Sequence, residues 1–497
     1  MKKEMKLVED YQKDLTLIGQ ANALLSWDEE TYMPEKGVES RSEQTALLSG
    51  IAHDKVISNE LFNALRKLRI SKDLKGKEKL MVDKLYKDVV KARKVPKEFV
   101  KEFSKTVALA GPKWREARRK KDFKIFAPHL QKIVELSKKQ IGYNRLPGHP
   151  YNSLLDDYEE GMTAEKLKPV FADLKKELVS LLKKIEGSEK YKKQKLVLMK
   201  KEFDGKILEG FVYDVCERMG LKKEFSRVDL TEHPFTTKIG VGDVRITTNY
   251  RENPMFAFLS TVHEAGHALY ELGLPKKDEY NVLGDAPSLG IHESQSRFWE
   301  NMIARGKPFW KYYYPRFKKN FKLSGDFDEW YKEVNFVHPD KIRVEADEVH
   351  YCLHIILRFE IELGLIEGSI KVKDLPKIWN SKMKELFGVV PKDDVEGCLQ
   401  DVHWSMGSFG YFPTYAIGTI YSAQLYSQLI KEHPHIEEQI GKGKFDKIRE
   451  WLNENVHKHG SYYLADDIIK KVCGEGLNPK VYVDYLNEKY GKIYGFD

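Results

Sequence analysis

Apolar and polar residues alternate with a helical period over most of the chain. Up to about residue 205, apolar positions recur three or four residues apart, which predicts long amphipathic helices. Segments that contain proline or glycine predict where these helices are interrupted. Such segments lie at residues 33–37, 94–96, 111–112 and 146–150.

The helical pattern gives way to a strand pattern at residues 235–250. Two stretches rich in β-branched residues flank the sequence Gly-Val-Gly-Asp there, which is typical of a turn between two strands. This pattern predicts a β-hairpin directly before an apolar helix. From about residue 295 the helical period returns to the end, so the predicted fold class is mainly α with a small β-sheet.

The apolar helix that follows the predicted hairpin contains His-Glu-Ala-Gly-His at residues 263–267. Residues four apart lie on one face of a helix, so His263 and His267 can bind the same metal ion. Glu264 would lie beside that ion, where a carboxylate can accept a proton from a metal-bound water. The motif is typical of zinc peptidases. The alternative, a surface helix with two solvated histidines, is disfavoured by the apolar residues around it.

A catalytic zinc site also needs a third protein ligand and an open position for water. Glu293 is the favoured third ligand, because it lies in a second predicted buried helix, far enough along the chain to cross the first. Asp285, in a loop before Ala-Pro, is a second candidate. The other candidates are less suitable as ligands. Glu271 lies on the same helix as the motif, and Asp278 and Glu279 lie in a predicted solvated turn. His292 lies on another face of the second helix, where it would pack or support a ligand.

Composition narrows the class of protein further. The chain has 497 residues, enough for one large domain or two closely packed ones. Its net charge is +8, which could indicate binding to nucleic acid. Lysine is interleaved with acidic residues, however, and this pattern is typical of solvated helix faces. No apolar run reaches the length of a membrane span and the start lacks a signal-like segment, so we expect a cytoplasmic protein without membrane or nucleic-acid partners. Its cysteines show no CxxC spacing, and its Lys and Glu content resembles that of thermophilic proteins.

Segments along nearly the whole chain resemble the carboxypeptidase Taq family, thermostable metallocarboxypeptidases of the gluzincin group. The resemblance implies a single helical metallopeptidase domain over residues 1–497 with a deep active-site groove, in which residues 1–110 are a candidate helical lid. It also implies a homodimer that removes C-terminal amino acids from peptides with broad specificity, using one Zn²⁺ per chain or alternatively Co²⁺. The matching segments are residues 25–34, 150–163, 233–235, 243–247, 263–267, 292–296, 342–347, 397–404 and 410–418.

Further roles follow for Glu264 of the motif and, from the resemblance, for residues outside it. Glu264 would activate the metal-bound water and then protonate the leaving amine. His403 and Tyr415 would donate hydrogen bonds to the oxyanion of the tetrahedral intermediate, with Tyr411 as the rival tyrosine. A packed aromatic residue is the structural alternative for each of them.

An exopeptidase must also bind the free α-carboxylate of its substrate, and the planar fork of arginine is suited to this. Arg343 and Arg245 occupy the two arginine motifs of the family, and Arg343 is favoured. The alternative is that each forms a structural ion pair with a neighbouring acid, Asp347 or Asp243 respectively. His233 is predicted to belong to the substrate-side wall.

Other functions remain open at this point. An oligopeptidase that cuts internal bonds would use the same metal motif, and only the arginines and the resemblance favour C-terminal trimming. A basic helical RNA-binding protein with an accidental motif is a second alternative, although it would need basic stretches free of acidic residues. A non-catalytic peptide-binding relative is a third, and the presence of Glu264 argues against it.

Overall fold

The protein, described here from a computed structural model that covers residues 1–200, 203–250 and 254–496, is mainly helical. Helices joined by short connections make up the part before the sheet. They are α1 (Lys2–Thr31), α2 (Val38–Val56), α3 (Asn59–Arg69), α4 (Gly76–Lys94), α5 (Lys97–Lys120), α6 (Ala127–Tyr143), α7 (Asn152–Leu155), α8 (Ala164–Gly187), α9 (Glu189–Lys192) and α10 (Gly205–Met219).

One predicted helix interruption, at residues 111–112, is wrong. Helix α5 continues through Pro112, whereas α1, α4 and α6 end at or just before the other proline-containing segments, as predicted. A proline removes the hydrogen bond to the carbonyl four residues earlier, here that of Ala108. Ala108 and Pro112 lie on the exposed face of α5, where water can bind that carbonyl, while Trp114 and Ala117 pack in the core.

The predicted hairpin is confirmed and forms part of a three-stranded sheet in the order β1-β3-β2. The strands are β1 (Ser226–Leu230), β2 (Thr236–Gly240) and β3 (Asp243–Thr248). The turn between β2 and β3 uses Gly242 at a φ of 87°, a conformation that glycine adopts without strain. Strand β1, which pairs parallel with β3, was not predicted. Arg227 and Asp229 occupy alternate positions in it, and aspartate in particular is uncommon in strands.

Helices again make up the chain after the sheet, as predicted, and the fold class is confirmed. A π-helical segment, Phe298–Ala304, directly follows the second of these helices. The helices are α11 (Pro254–Gly273), α12 (Leu289–Arg297), α13 (Lys307–Phe321), α14 (Phe327–Val334), α15 (Glu348–Glu367), α16 (Leu375–Phe387), α17 (Pro413–Glu432), α18 (Ile436–Ile440), α19 (Asp446–Asn455), α20 (Ala465–Cys473) and α21 (Pro479–Tyr494).

Two separate apolar cores stabilise the fold. The larger one joins helices from α5 to α21 with strand β3. The smaller one lies among α1, α3 and α4 and includes Val8, Leu65 and Val82, with Leu283 contributed from the connection before α12. The amino-terminal helices therefore have a core of their own. Within the described part of the chain, no helix combines the length and apolarity needed to cross a membrane.

Helix α12 packs so closely against α11 and α17 that glycines are required at both contacts. A Cβ atom on Gly266 of α11 would lie 2.7 Å from the carbonyl oxygen of Gln295 and 2.7 Å from the Cα of Ser296. One on Gly418 of α17 would lie 2.7 Å from the Cβ of Glu293. Because most of these neighbours are backbone or Cβ atoms, they cannot move away without shifting α12.

We predict that Gly266→Ala lowers the free energy of unfolding by about 1–3 kcal/mol, the usual cost of overpacking a core. The matched control is Gly210→Ala in the exposed middle of α10, where a Cβ meets nothing within 4 Å. It should raise stability by about 0.5–1 kcal/mol, because alanine favours the helix. Thermal unfolding of both variants checks this, and equal midpoints would contradict the close packing of α11 on α12.

Candidate active site

His263, His267 and Glu293 face one another between α11 and α12. The Nε2 atoms of His263 and His267 lie 3.4 and 3.3 Å from the same oxygen of Glu293, Oε2. One donor atom from each residue lies within 4.8 Å of the other two, so together they can hold a metal ion. Two imidazoles and a carboxylate are a donor set that suits Zn²⁺ and related divalent ions.

Each of the two histidines is oriented by a hydrogen bond at its other nitrogen. The Nδ1 atom of His263 lies 2.8 Å from Oε2 of Glu300, and that of His267 lies 2.6 Å from Nδ1 of His292. Both Nε2 atoms are thereby directed towards Glu293. Glu300 was not identified from the sequence, although its position seven residues after Glu293 on a helical continuation was a usable signal.

The electrostatics of this cluster favour a bound cation. Burial raises the pKa of Glu293, but the charges of His263 and Arg297 outweigh it and hold the pKa well below its ordinary value. Burial also lowers the pKa of His263, yet Glu293 and Glu300 raise it to about 10. The cluster thus holds positive charge at His263, and a divalent ion would take the place of that proton.

Arg297 forms ion pairs with both buried carboxylates of the cluster, Glu293 and Glu300. Its Nε donates to Oε1 of Glu293 at 2.7 Å, and its Nη1 donates to Oε2 of Glu300 at 3.1 Å. Its guanidinium also lies 3.9 Å above the ring of Tyr351. Arg297 therefore leaves Oε2 of Glu293 for the histidine side of the cluster.

Glu264 lies next to the first histidine and is buried, with 8% of its surface exposed. Thr236 of β2 donates its hydroxyl hydrogen to Oε2 of Glu264 at 2.6 Å and lies 2.9 Å from the backbone oxygen of the same residue. Burial raises the pKa of Glu264. The sheet edge therefore fixes the orientation of this carboxylate, a contact for which the sequence contains no signal.

His403, in the segment before α17, and Tyr415, in the first turn of α17, form a pair. The Nε2 atom of His403 lies 3.0 Å from the Tyr415 hydroxyl, and the Tyr411 ring lies 5.2 Å from each of the two rings. Burial and the neighbouring Arg343 lower the pKa of His403 to about 3, so its ring is neutral. Burial raises the pKa of Tyr415 well above its ordinary value.

Arg343 is buried, and its acidic partner differs from the one anticipated. Its Nε donates to Oδ1 of Asp401 at 2.9 Å and its Nη1 donates to the Tyr351 hydroxyl at 3.2 Å. The guanidinium lies 4.9 Å from the centre of the Tyr415 ring. Asp347, the anticipated partner, instead accepts hydrogen bonds from the backbone at the start of α15.

Arg245 forms an ion pair with its neighbour Asp243, which is the structural alternative to a role in substrate binding. Its Nη2 lies 2.7 Å from Oδ2 of Asp243, and its guanidinium lies 4.2 Å above the ring of Trp27 in α1. His233 is exposed in the connection between β1 and β2. Within the described residues, no hydrogen bond or ion pair links Arg245 or His233 to the three donors.

The other candidate ligands lie outside the cluster. Glu271 binds His292 and Lys238. Asp285 lies in the connection before α12, where burial raises its pKa to about 6. The prediction of a solvated turn is wrong for Asp278, which is 1% exposed and accepts a hydrogen bond from the Tyr462 hydroxyl at 2.6 Å. Its burial depends on the distant Tyr462 segment, which no local pattern reveals.

The chain matches known proteins over nearly its whole length. A family model described as carboxypeptidase Taq (M32) metallopeptidase matches residues 7–490. A thermostable carboxypeptidase 1 from Pyrococcus furiosus is 41% identical over 477 residues, 95% of each chain. A second thermostable carboxypeptidase 1, from Thermus thermophilus, is 37% identical over 501 residues, 98% of each chain.

Solved structures agree with these sequence matches. The crystal structure of the M32 carboxypeptidase from Deinococcus radiodurans R1 superposes with a TM-score of 0.95 at 35% identity, covering 99% of this chain and 100% of that one. Both the sequence and the fold match from end to end, and so the chain belongs to the carboxypeptidase Taq (M32) family of metallopeptidases.

Proposed function

We propose that this metallocarboxypeptidase releases single amino acids from the carboxyl end of peptides with broad side-chain tolerance, with Glu264 as the general base. The observation that carries the proposal is the pairing of a His-His-Glu donor cluster with an adjacent buried carboxylate. Both relatives described above are named carboxypeptidases, which supports trimming at the end rather than the endo-acting alternative.

The metal of the site is proposed to be one Zn²⁺ per chain, with Co²⁺ as an acceptable substitute, held by His263, His267 and Glu293. The nitrogen and oxygen donors support this choice, because they suit both ions. When bound, the ion would act as a Lewis acid towards water and the peptide carbonyl.

The chain's own groups would handle the protons and the developing charge. Glu264, oriented by Thr236, would accept a proton from the attacking water and deliver it to the leaving amine. Tyr415 and His403 would donate hydrogen bonds to the oxyanion, with Tyr411 as the rival donor. Their mutual contact at 3.0 Å and the neutral state of His403 support their acting as a unit.

Recognition of the substrate's carboxylate is proposed for Arg343, with Arg245 as the alternative and His233 on the substrate-side wall. Arg343 stacks on Tyr415, so it lies against a proposed oxyanion donor. Asp401 and Tyr351 hold its Nε and Nη1 in place, which supports a fixed guanidinium plane.

The amino-terminal helices, residues 1–110, are proposed to form a lid over the groove. The core shared by α1, α3 and α4 supports movement of these three helices as a unit, with Leu283 of the connection before α12 also packed in it. Two contacts would hold the lid against the sheet. The Trp27 ring packs on Arg245, and the Tyr32 hydroxyl donates to Asp229 at 2.5 Å. We further propose a single domain, a homodimer and a cytoplasmic location; free cysteines at all four positions are consistent with a reducing compartment.

For the metal site, we predict that Glu293→Ala lowers Zn²⁺ affinity far more than Asp285→Ala, because only Glu293 supplies a donor atom to the cluster. Competition with a chromophoric chelator measures both affinities. Chelation should abolish peptide release by the unmodified enzyme, and added Zn²⁺ or Co²⁺ should restore it. Loss of the metal from the Asp285 variant alone would mean that the third ligand is assigned incorrectly.

For the general base, we predict that Glu264→Gln keeps the metal but lowers turnover about a hundred- to ten-thousand-fold, the usual contribution of general acid–base catalysis. Glutamine has nearly the same shape and can still accept the Thr236 hydrogen bond, but it cannot take up the proton. Turnover is compared at equal metal content. A variant with normal turnover would remove Glu264 from the mechanism.

For end recognition, we predict that a peptide with a free C-terminal carboxylate is trimmed and its amidated form is not. Loss of a charged hydrogen bond costs about 1.5–3 kcal/mol, so Arg343→Ala should slow the free-acid peptide about 10- to 100-fold. Arg245→Ala serves as the comparison, and mass spectrometry of the products identifies the bond that is cut. Equal cleavage of both peptides at an internal bond would instead indicate an endo-acting enzyme.

A further inference from the structure

His292 contacts one of the two proposed histidine ligands although it is not itself part of the donor cluster. Its Nδ1 lies 2.6 Å from Nδ1 of His267, and its Nε2 lies 2.9 Å from Oε1 of Glu271. Glu271 lies four residues after His267 on α11, whereas His292 lies on α12. The three side chains therefore form a continuous hydrogen-bonded chain that links the two helices.

The position of one proton decides whether His267 can bind a metal ion. A neutral imidazole carries one proton, and ligation through Nε2 requires that the proton be on Nδ1. The Nδ1–H of His267 then has to donate, so Nδ1 of His292 must accept. A neutral His292 with an accepting Nδ1 carries its own proton on Nε2, and that proton needs an acceptor.

We propose that Glu271 and His292 are positioning residues that hold His267 with its proton on Nδ1 and its Nε2 lone pair directed at Glu293. This proposal rests on the metal site proposed above. Glu271 accepts from His292, and His292 in turn accepts from His267, so the carboxylate sets the protonation pattern of both rings.

The surroundings of Glu271 and His292 restrict their movement. Lys238 of β2 lies 3.2 Å from the second oxygen of Glu271, so both carboxylate oxygens have a partner. The ring of Tyr270 meets that of His292 edge-on with the ring centres 5.1 Å apart. The two histidines of the cluster are thus oriented differently, His263 by a carboxylate directly and His267 by a carboxylate acting through a second imidazole.

Zn²⁺ affinity of the full-length protein, measured by chelator competition, tests the proposal without reference to activity. His292→Phe and Glu271→Leu each remove a hydrogen-bond acceptor from the chain and should weaken Zn²⁺ binding about 10- to 100-fold, as loss of a partner that orients a ligand typically does. His292→Gln and Glu271→Gln should lose less Zn²⁺ affinity, because the side-chain oxygen of glutamine can still accept the hydrogen bond. Should the phenylalanine variant fail to fold, Glu271→Leu carries the test.

His457 provides a matched control for the loss of a buried histidine. It also lies 5.1 Å from the Tyr270 ring and is fully hydrogen-bonded, to Asn453 and Gln295, but it does not touch His267. His457→Phe should leave Zn²⁺ affinity within about twofold of the unmodified protein, because His457 makes no hydrogen bond to His267, His292 or Glu293 and so orients no ligand. If His292→Phe and Glu271→Leu bind Zn²⁺ as His457→Phe does, the proposal is wrong.

The tautomer itself can be read from ¹⁵N chemical shifts of histidine-labelled, metal-free protein. His267 should carry its proton on Nδ1 in the unmodified chain and become a mixture of tautomers in His292→Phe. A proton on Nε2 of His267 in the unmodified chain would overturn the proposal. Failure of the unmodified protein to bind Zn²⁺ at all would instead overturn the proposed metal site, so the two failures are distinguishable.

Discussion

The close packing of α12 against α11 and α17 is the constraint on which the rest of the site depends. Glu293 reaches the two histidines of α11 only because Gly266 and Gly418 let the helices approach to backbone contact. A methyl group on Gly266 would push α12 away from α11, and one on Gly418 would collide with the Glu293 side chain itself. The glycine within the His-Glu-x-x-His motif therefore has a packing role as well as a place between two donors.

Burying so many charges requires that each be paired, and the pairing also makes the site rigid. An unpaired buried charge costs several kcal/mol, roughly, whereas a fully hydrogen-bonded network avoids most of that cost. Arg297 bridges Glu293 and Glu300. Asp401 pairs with two arginines: its Oδ1 lies 2.9 Å from Nε of Arg343, and its Oδ2 lies 2.6 Å from Nη2 of Arg358. These networks hold the side chains of the His-His-Glu cluster and those around Arg343 each in one arrangement.

The segment before α17, which carries His403, is held from α15 by the buried carboxylate of Glu362. Glu362 accepts hydrogen bonds from the Tyr151 hydroxyl at 2.6 Å, from Trp404 Nε1 at 2.8 Å and from the backbone of Gly410 at 3.1 Å. Burial raises the pKa of Glu362 to about 7. Residues 407–412, between the short helical turn that carries His403 and α17, form neither helix nor strand, so contacts such as these fix their path.

The sequence by itself determined the features that depend on local periodicity: the helical class, the hairpin before α11, and the placement of His263, Glu264 and His267 four or fewer residues apart on one helix. Tertiary structure alone decided which distant groups meet them. Thr236, Glu300 and the Asp401 partner of Arg343 come from other elements, and the burial of Asp278 depends on Tyr462. The continuation of α5 through Pro112 likewise depended on which face of that helix meets water. A local sequence pattern indicates the backbone preference of one element and which of its faces is apolar. Hydrogen-bond partners and burial depend on how separate elements pack, and no short stretch of sequence contains that information.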